Sequence, residues 1–282
     1  MTIGVSEGMH DNADIVVSLK TEGDSYVDVP HMHSRYEIYY NISGARAFMC
    51  EGKVYKCSEK NLIVVPRICA HKVFVEKGAH YDRCIISVDE VVVDMLSMLC
   101  QSDEALSWIT DATSLSPSIA KLTDTQHRAF IILCEKYLKV KSDGDILGSL
   151  GCFVKILSFL KKCFETSQDI CIMAEDEMTV TERVLVHIEQ HFKTINISAL
   201  CRELYFSEDH LNRIFKTETG MTVKQYITLR KIAEAKKYLY LGKTAKEACF
   251  LSGFRDYSNF RRSFKNYEGY NPGNLEELTS PI

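Results

Sequence analysis

Two stretches of the chain, residues 208 to about 218 and 257 to about 267, carry the side chains best suited to chemistry with a polyanion. At helical spacing the first turns Asp209, Asn212, Arg213 and Lys216 to one face and Leu211, Ile214 and Phe215 to the other. The second turns Tyr257, Ser258, Arg261, Arg262 and Lys265 outward, and Phe260, Phe264 and Tyr267 inward. The apolar faces anchor, and the polar faces are free to touch a partner. Charge follows the same division. Residues 178 to 282 hold 16 Lys and Arg against 12 Asp and Glu, net +4, whereas residues 1 to 177 hold 18 against 26, net -8. A basic region joined to an acidic one suggests nucleic-acid contact by the former.

The two stretches belong to an internal repeat. A shift of 49 residues brings Ala199 onto Ala248, Arg213 onto Arg262, Phe215 onto Phe264, Lys216 onto Lys265 and Gly220 onto Gly269. Ser207 falls on Asp256, both good N-cap residues, and each helix ends at a Gly suited to the left-handed C-terminal position. Each follows a shorter helix, 197 to 204 and 244 to 252, across a turn of a few residues, which is a helix-turn-helix layout. Gly253 sits in the second turn, where positive φ costs least. Between the units, residues 223 to 241 place Tyr226, Leu229, Ile232, Ala233, Ala235 and Leu239 at helical spacing. Such a helix is roughly 28 Å long, close to the ~34 Å repeat of the major groove on one face of DNA. The competing reading, a plain helical bundle whose Arg and Lys only solvate the surface, does not account for the repeat.

The rest of the chain reads as a β-rich domain followed by helices. Residues 15 to 93 form seven short β-branched and aromatic runs, DIVVSL, YEIYYNI, ARAFMC, KVYKC, NLIVVP, HKVFVE and CIISVDEVVV, which predict a sandwich or small barrel. SGAR and EGKV fit hairpin turns. After Val93 the period lengthens toward 3.6 through MLSMLC, AFIILCEKYL and a striped run over 146 to 164. In the last, Leu150, Phe153, Leu157, Leu160 and Phe164 are spaced like a heptad seam, leaving dimerisation and packing on the β domain as open alternatives. The acidic stretch ETSQDICIMAEDEM reads as a linker. The predicted architecture is therefore α+β and multidomain, with an N-terminal β-barrel (1–93), a helical connector and possible dimerisation region (94–177), and an all-α domain (178–282) with helix-turn-helix units at 197–218 and 244–267.

Composition excludes several other classes. With 46% apolar and 26% charged residues and 5 Pro, the chain is neither disordered nor fibrous. Its 11 Cys lie singly, without a C-x-x-C pair, so a disulfide framework and a thiolate zinc site are not expected. No signal-peptide pattern opens the sequence, and no run nears the roughly 18 apolar residues of a membrane span. The expectation is a cytoplasmic protein with reduced thiols and no membrane partner.

Over residues 178 to 275 the sequence resembles the AraC/XylS family of transcription regulators. The resemblance is carried by Leu211-Asn212-Arg213-Ile214-Phe215-Lys216 with Gly220, by Arg230, Ala235 and Leu239, and by Gly253-Phe254-Arg255-Asp256 with Phe260, Arg262, Phe264-Lys265, Gly269 and Pro272. It implies base-edge contacts at Asp209, Asn212, Arg213, Tyr257, Ser258, Arg261 and Arg262, where Arg pairs bidentately with guanine and Asn with adenine. Lys216 and Lys265 would contact phosphates. RNA polymerase is a further partner that the resemblance implies. The sequence departs from the family at Ala245, Ala248, Cys249 and Ser252, and at Gly273-Asn274-Leu275-Glu276, which predicts a less firmly packed second unit.

His31-Met32-His33-Ser34-Arg35-Tyr36-Glu37, followed after six intervening residues by Gly44, fits the first motif of the cupin superfamily, and Pro66 with His71 resembles part of the second. Ile68 stands where that motif usually has Gly. In metal-binding cupins the residues matching His31, His33, Glu37 and His71 ligate iron, manganese or a similar ion. The resemblance otherwise implies a small-molecule effector in the barrel, with His31, His33, Glu37, Tyr39, Arg46 and His71 as pocket candidates; Tyr36 points the other way from Glu37 and Tyr39. The leading expectation is a non-enzymatic, effector-responsive, sequence-specific DNA-binding regulator acting on double-stranded DNA, without a required cofactor. The alternative is a metal-dependent cupin enzyme, using a divalent ion, with an accessory helical domain.

Overall fold

The structure, a computed structural model, describes residues 14–21, 31, 33, 35–65, 67, 69–76, 78–110, 117–166 and 172–273. They fall into two compact units, one holding the strands and helices up to Met173 and one holding the helices from Ala174 onward. Pro66 and Ile68 of the second cupin motif, and Asn274, Leu275 and Glu276 of the tail, lie outside the described residues.

In the first unit the apolar runs form β1 (Ile15–Lys20), β2 (Tyr36–Asn41), β3 (Ala45–Cys50), β4 (Lys53–Lys56), β5 (Asn61–Val65), β6 (His71–Val75) and β7 (Arg83–Val88). The last run is shorter than expected. It stops at Val88, because the Asp89 carboxylate accepts from the Val91 N–H and starts α1 (Glu90–Cys100), so that an N-cap overrides the β-branched EVVV. After α1 and the short α2 (Ser107–Thr110), an eighth strand, β8 (Ser118–Lys121), returns to pair with β5. A stretch that reads as helical thus supplies one edge of the β structure.

The strands make two antiparallel sheets, ordered β1-β7-β2-β5-β8 and β4-β3-β6. Tyr39, Ile63, Val65 and Ile119 of the larger sheet pack against Phe48, Cys50, Tyr55 and Val73 of the smaller one. The opposite face of the larger sheet presents Ile38, Tyr40, Leu62, Val64, Cys84 and Ile86 to α3 (Asp124–Ser142) and α4 (Ile146–Thr166). Of the two alternatives left open for the heptad-like stripe, packing on the β domain is the one the structure shows. Phe153, Leu157, Leu160 and Phe164 are buried in this core, and only Leu150 of the five is exposed. The stripe covers the chain's own sheet, whose apolar outer face would otherwise meet water. At the end of this unit the linker is drawn onto the edge strand β4: Ile172 bridges Tyr55, and the Met173 N–H donates to the Val54 carbonyl at 2.8 Å.

The second unit contains α5 (Val180–His191), which periodicity did not single out, then α6 (Ile197–Glu203), α7 (Glu208–Thr219), α8 (Val223–Tyr240), α9 (Ala245–Leu251) and α10 (Tyr257–Glu268). α5 is held to α8 by a buried network. Glu189 accepts from the Arg230 Nε–H and, at 3.2 Å, from the Tyr226 hydroxyl, while the Arg230 guanidinium stacks over Phe192 at 4.2 Å. The second helix-turn-helix unit is not loose. Ala248, Cys249, Ser252, Phe260 and Phe264 are all fully buried, because the small side chains of α9 let it lie close against α8 and α10.

Candidate functional site

The two helix-turn-helix units are built alike, residue by residue. Ser207 caps α7 by accepting from the His210 N–H, and Asp256 caps α10 by accepting from the Asn259 N–H at 2.6 Å. Both helices close on a left-handed Gly, Gly220 and Gly269. Leu211 and Phe215 bury the inner face of α7, and Phe260 and Phe264 that of α10. Asp209, Arg213 and Lys216 are exposed on α7, and Tyr257, Ser258, Arg261, Arg262 and Lys265 on α10. α8, between them, has 18 residues and so is about 27 Å long.

Asn212 differs from its neighbours. Its Oδ1 accepts from the Val223 N–H at 3.1 Å, satisfying one of the orphan donors that open α8. The expected adenine-type carboxamide is therefore half-buried and tied to the framework. Arg213 extends from a ladder that sequence reasoning missed: the Phe206 ring stacks on His210 at 5.2 Å, and Arg213 Nη2 lies 3.2 Å from His210 Nδ1. Arg262 reaches Asn259 Oδ1 at 3.4 Å and Arg261 reaches Asn271 Oδ1 at 3.3 Å, so all three guanidinium groups are oriented by light contacts and still face solvent. Asp209 occupies the first turn of α7, where the helix dipole favours a carboxylate.

In the first unit the motif residues His33, Glu37 and His71 come together: each offers one ligand atom, and these atoms lie within 4.8 Å of one another, whereas His31 falls in the other compact unit. His33 Nδ1 donates to the Arg35 carbonyl and His71 Nδ1 to the Cys69 carbonyl, each at 3.0 Å. Their Nε2 atoms face Glu37, at 2.7 Å for His33 and 3.8 Å for His71. Burial by itself lowers the His33 pKa, but the Glu37 charge and hydrogen bond, with the Arg35 carbonyl, hold it above the ordinary imidazole value.

Glu37 and Tyr39 share the inward face of β2, as their alternation required. Tyr39 connects to the histidines through Phe48, which stacks on Tyr39 at 5.9 Å and on His71 at 6.0 Å. Its hydroxyl meets that of Tyr81 at 3.1 Å, and Arg83 stacks over Tyr81 at 4.6 Å. Burial holds the Tyr39 phenol well above its ordinary pKa, so it stays protonated. Arg46 sits at an irregularity in β3, four residues before Cys50, the residue that pairs with His71. Tyr36 packs on the outer face with the helices. Phe48, Tyr81 and Arg83 carried no signal in sequence, since their proximity depends on strand register.

Comparison with known proteins agrees with both halves. A sequence model described as an AraC-like ligand binding domain matches residues 14–157, and one described as a helix-turn-helix domain matches residues 200–277. The uncharacterized HTH-type transcriptional regulator YbfI of Bacillus subtilis is 24% identical over 231 residues, covering 81% of this chain and 80% of that one. YtdP, another uncharacterized HTH-type regulator of that organism, is 30% identical over 96 residues, 33% of this chain and 12% of its own. Among solved structures, unsaturated fatty acid bound wild-type ToxT from Vibrio cholerae is similar over 96% of this chain and 98% of its own, at 13% identity and a TM-score of 0.39. A ligand-binding β domain followed by two helix-turn-helix units, matched in sequence over more than half its length, makes this chain a member of the AraC family of DNA-binding transcription regulators.

Proposed function

We propose that this regulator reads two adjacent sub-sites of one duplex, one with each helix-turn-helix unit, under the control of a small effector held in the N-terminal sandwich. The observation that carries the reading is the equivalence of α7 and α10, alike in cap, buried face and exposed guanidinium groups, at the two ends of a helix about 27 Å long. Arg213, Arg261, Arg262, Tyr257 and Ser258 are assigned to base edges, with Asp209 a candidate acceptor for cytosine N4. Lys216 and Lys265 neutralise phosphates. Asn212 supports the unit from within. The protein acts in the cytoplasm without catalysis and passes its signal to RNA polymerase, as the family resemblance implies. It works as a homodimer through the exposed start of α4, where Ile146 and Leu147, 85% and 79% exposed, are followed one and two turns later by Leu150 and Val154.

The test is selection of duplexes from a random pool, followed by titration of the full chain against a selected and a scrambled duplex at several salt concentrations. Two sub-sites about one helical turn apart, preferred by roughly a thousandfold or more over the scrambled duplex, are the expected result. Indifference to sequence at every salt concentration would overturn the reading.

A second reading, a divalent ion in the sandwich, is favoured by one observation. His33 and His71 both give their Nδ1–H to backbone carbonyls and turn Nε2 toward Glu37, as metal-ligating histidines are held by their outer hydrogen bonds. Two imidazoles and a carboxylate suit iron, manganese or zinc, which His33, Glu37 and His71 would hold. Elemental analysis of the purified chain decides it: one ion per chain, lost in His71→Ala, supports the ion, and equal metal content in the two proteins contradicts it.

A further inference from the structure

The turns of the two helix-turn-helix units share one backbone. In the first, the Tyr205 N–H donates to the Arg202 carbonyl and the Phe206 N–H to the Cys201 carbonyl, at 3.2 and 2.9 Å. In the second, the Gly253 N–H donates to Phe250 and the Phe254 N–H to Cys249, both at 3.1 Å. The residue that closes each turn is left-handed, at φ +59° for Tyr205 and +88° for Gly253. That conformation suits Gly and disfavours a bulky aromatic residue. At Gly253 a Cβ would also come within 2.8 Å of the Lys193 Cα. Tyr205 accepts the strain and buries nothing in return, since it is 94% exposed, the most exposed large side chain of its kind among the described residues. A strained residue that contributes nothing to the core is kept for what its side chain touches.

Its surroundings point to that partner. Tyr205 lies two residues before the Ser207 cap of α7 and beside the Phe206–His210–Arg213 ladder. The second turn is one residue longer, and the additional residue is an exposed cation, Arg255. The first turn has no cation, and its projecting polar group is a phenol.

We propose that Tyr205 is a DNA-backbone contact of the first unit, its hydroxyl donating to a phosphodiester oxygen next to the bases that Arg213 reaches. The inference rests on the DNA-binding reading above. Such a neutral donor positions the protein without reading sequence and releases no counterion.

The test uses the full chain, the selected and scrambled duplexes, and the variants Tyr205→Phe and Tyr205→Gly. Tyr205→Phe is expected to weaken binding about 3- to 10-fold on both duplexes, with the slope of affinity against salt unchanged. Tyr205→Gly is expected to weaken binding at least as much while melting at the same temperature as the parent or higher, because the strain is relieved. Wild-type affinity in Tyr205→Phe would overturn the proposal, as would a loss confined to the selected duplex or a change in salt slope. Failure of the parent chain to bind either duplex would overturn the DNA-binding reading instead.

Discussion

The Asn212 carboxamide and the Val223 backbone are joined by a 3.1 Å hydrogen bond that ties the recognition helix α7 to the first turn of α8. A side chain that by type alone could read adenine is thereby a brace between two helices. Asn212→Ala is expected to lower the stability of the second unit by about 1 kcal/mol, measured by thermal melting, and to leave the ratio of specific to non-specific affinity unchanged. Arg213→Ala is expected to do the reverse, costing about 1–3 kcal/mol on the selected duplex, relaxing preference at one base position and sparing the melt. A lost preference in Asn212→Ala with an unchanged melt would return that residue to the base-reading set.

The Glu189–Arg230 pair is buried on both sides, so loss of one partner leaves an uncompensated charge. Arg230→Met is expected to destabilise the second unit by about 3–5 kcal/mol in chemical denaturation. Adding Glu189→Leu in the same chain should recover part of that loss, and a purely additive double variant would mean that the two residues are not coupled.

Glu234 accepts from Arg230 at 3.2 Å and pairs with Lys193 at 3.3 Å. Burial raises its pKa, but the charges of Arg230 and Lys193 outweigh that and hold the carboxyl below the ordinary range. The unfolded chain then binds the proton more readily, so this group contributes stability above about pH 4.5 that is lost as pH falls through the lower folded value. Glu234→Gln should flatten the acid limb of the stability curve for this unit. An acid limb identical to that of the parent would remove Glu234 from the account.

Leu147 and Leu157 separate two roles that one apolar stripe suggested. Leu157 is buried in the core of the first unit, and Leu157→Ala should cost about 2–5 kcal/mol of stability. Leu147 is exposed, and Leu147→Asp should leave the melting temperature unchanged while shifting the solution mass from dimer to monomer. An unchanged mass in Leu147→Asp would remove this face as the dimer contact.

Much of the architecture was legible because it depends on local pattern. Period-2 runs marked β1 to β7, and caps and terminal glycines bracketed α7 and α10. The His33 and Glu37 spacing, together with His71, marked a cluster that the fold then assembled. One miss turned on a local cap, and the others on partners distant in sequence. EVVV after Asp89 became helix because one carboxylate capped it. Of the two readings open for the stripe through Leu157, packing on the chain's own sheet is the one found, a choice that periodicity alone does not make. Asn212 found Val223, and Tyr39 found Tyr81 and Phe48, only through packing and strand register that no periodicity encodes. Tyr205 was invisible because nothing in its type announces a left-handed backbone.

Hydroxyl-radical footprinting on the selected duplex with the parent, Arg213→Ala and Arg262→Ala shows whether one chain reads two sub-sites with two equivalent units. Two protected segments about one helical turn apart on one face of the DNA are expected, with each substitution weakening protection at a different segment. A single protected segment, or two segments that fade together in both variants, would contradict the two-unit reading.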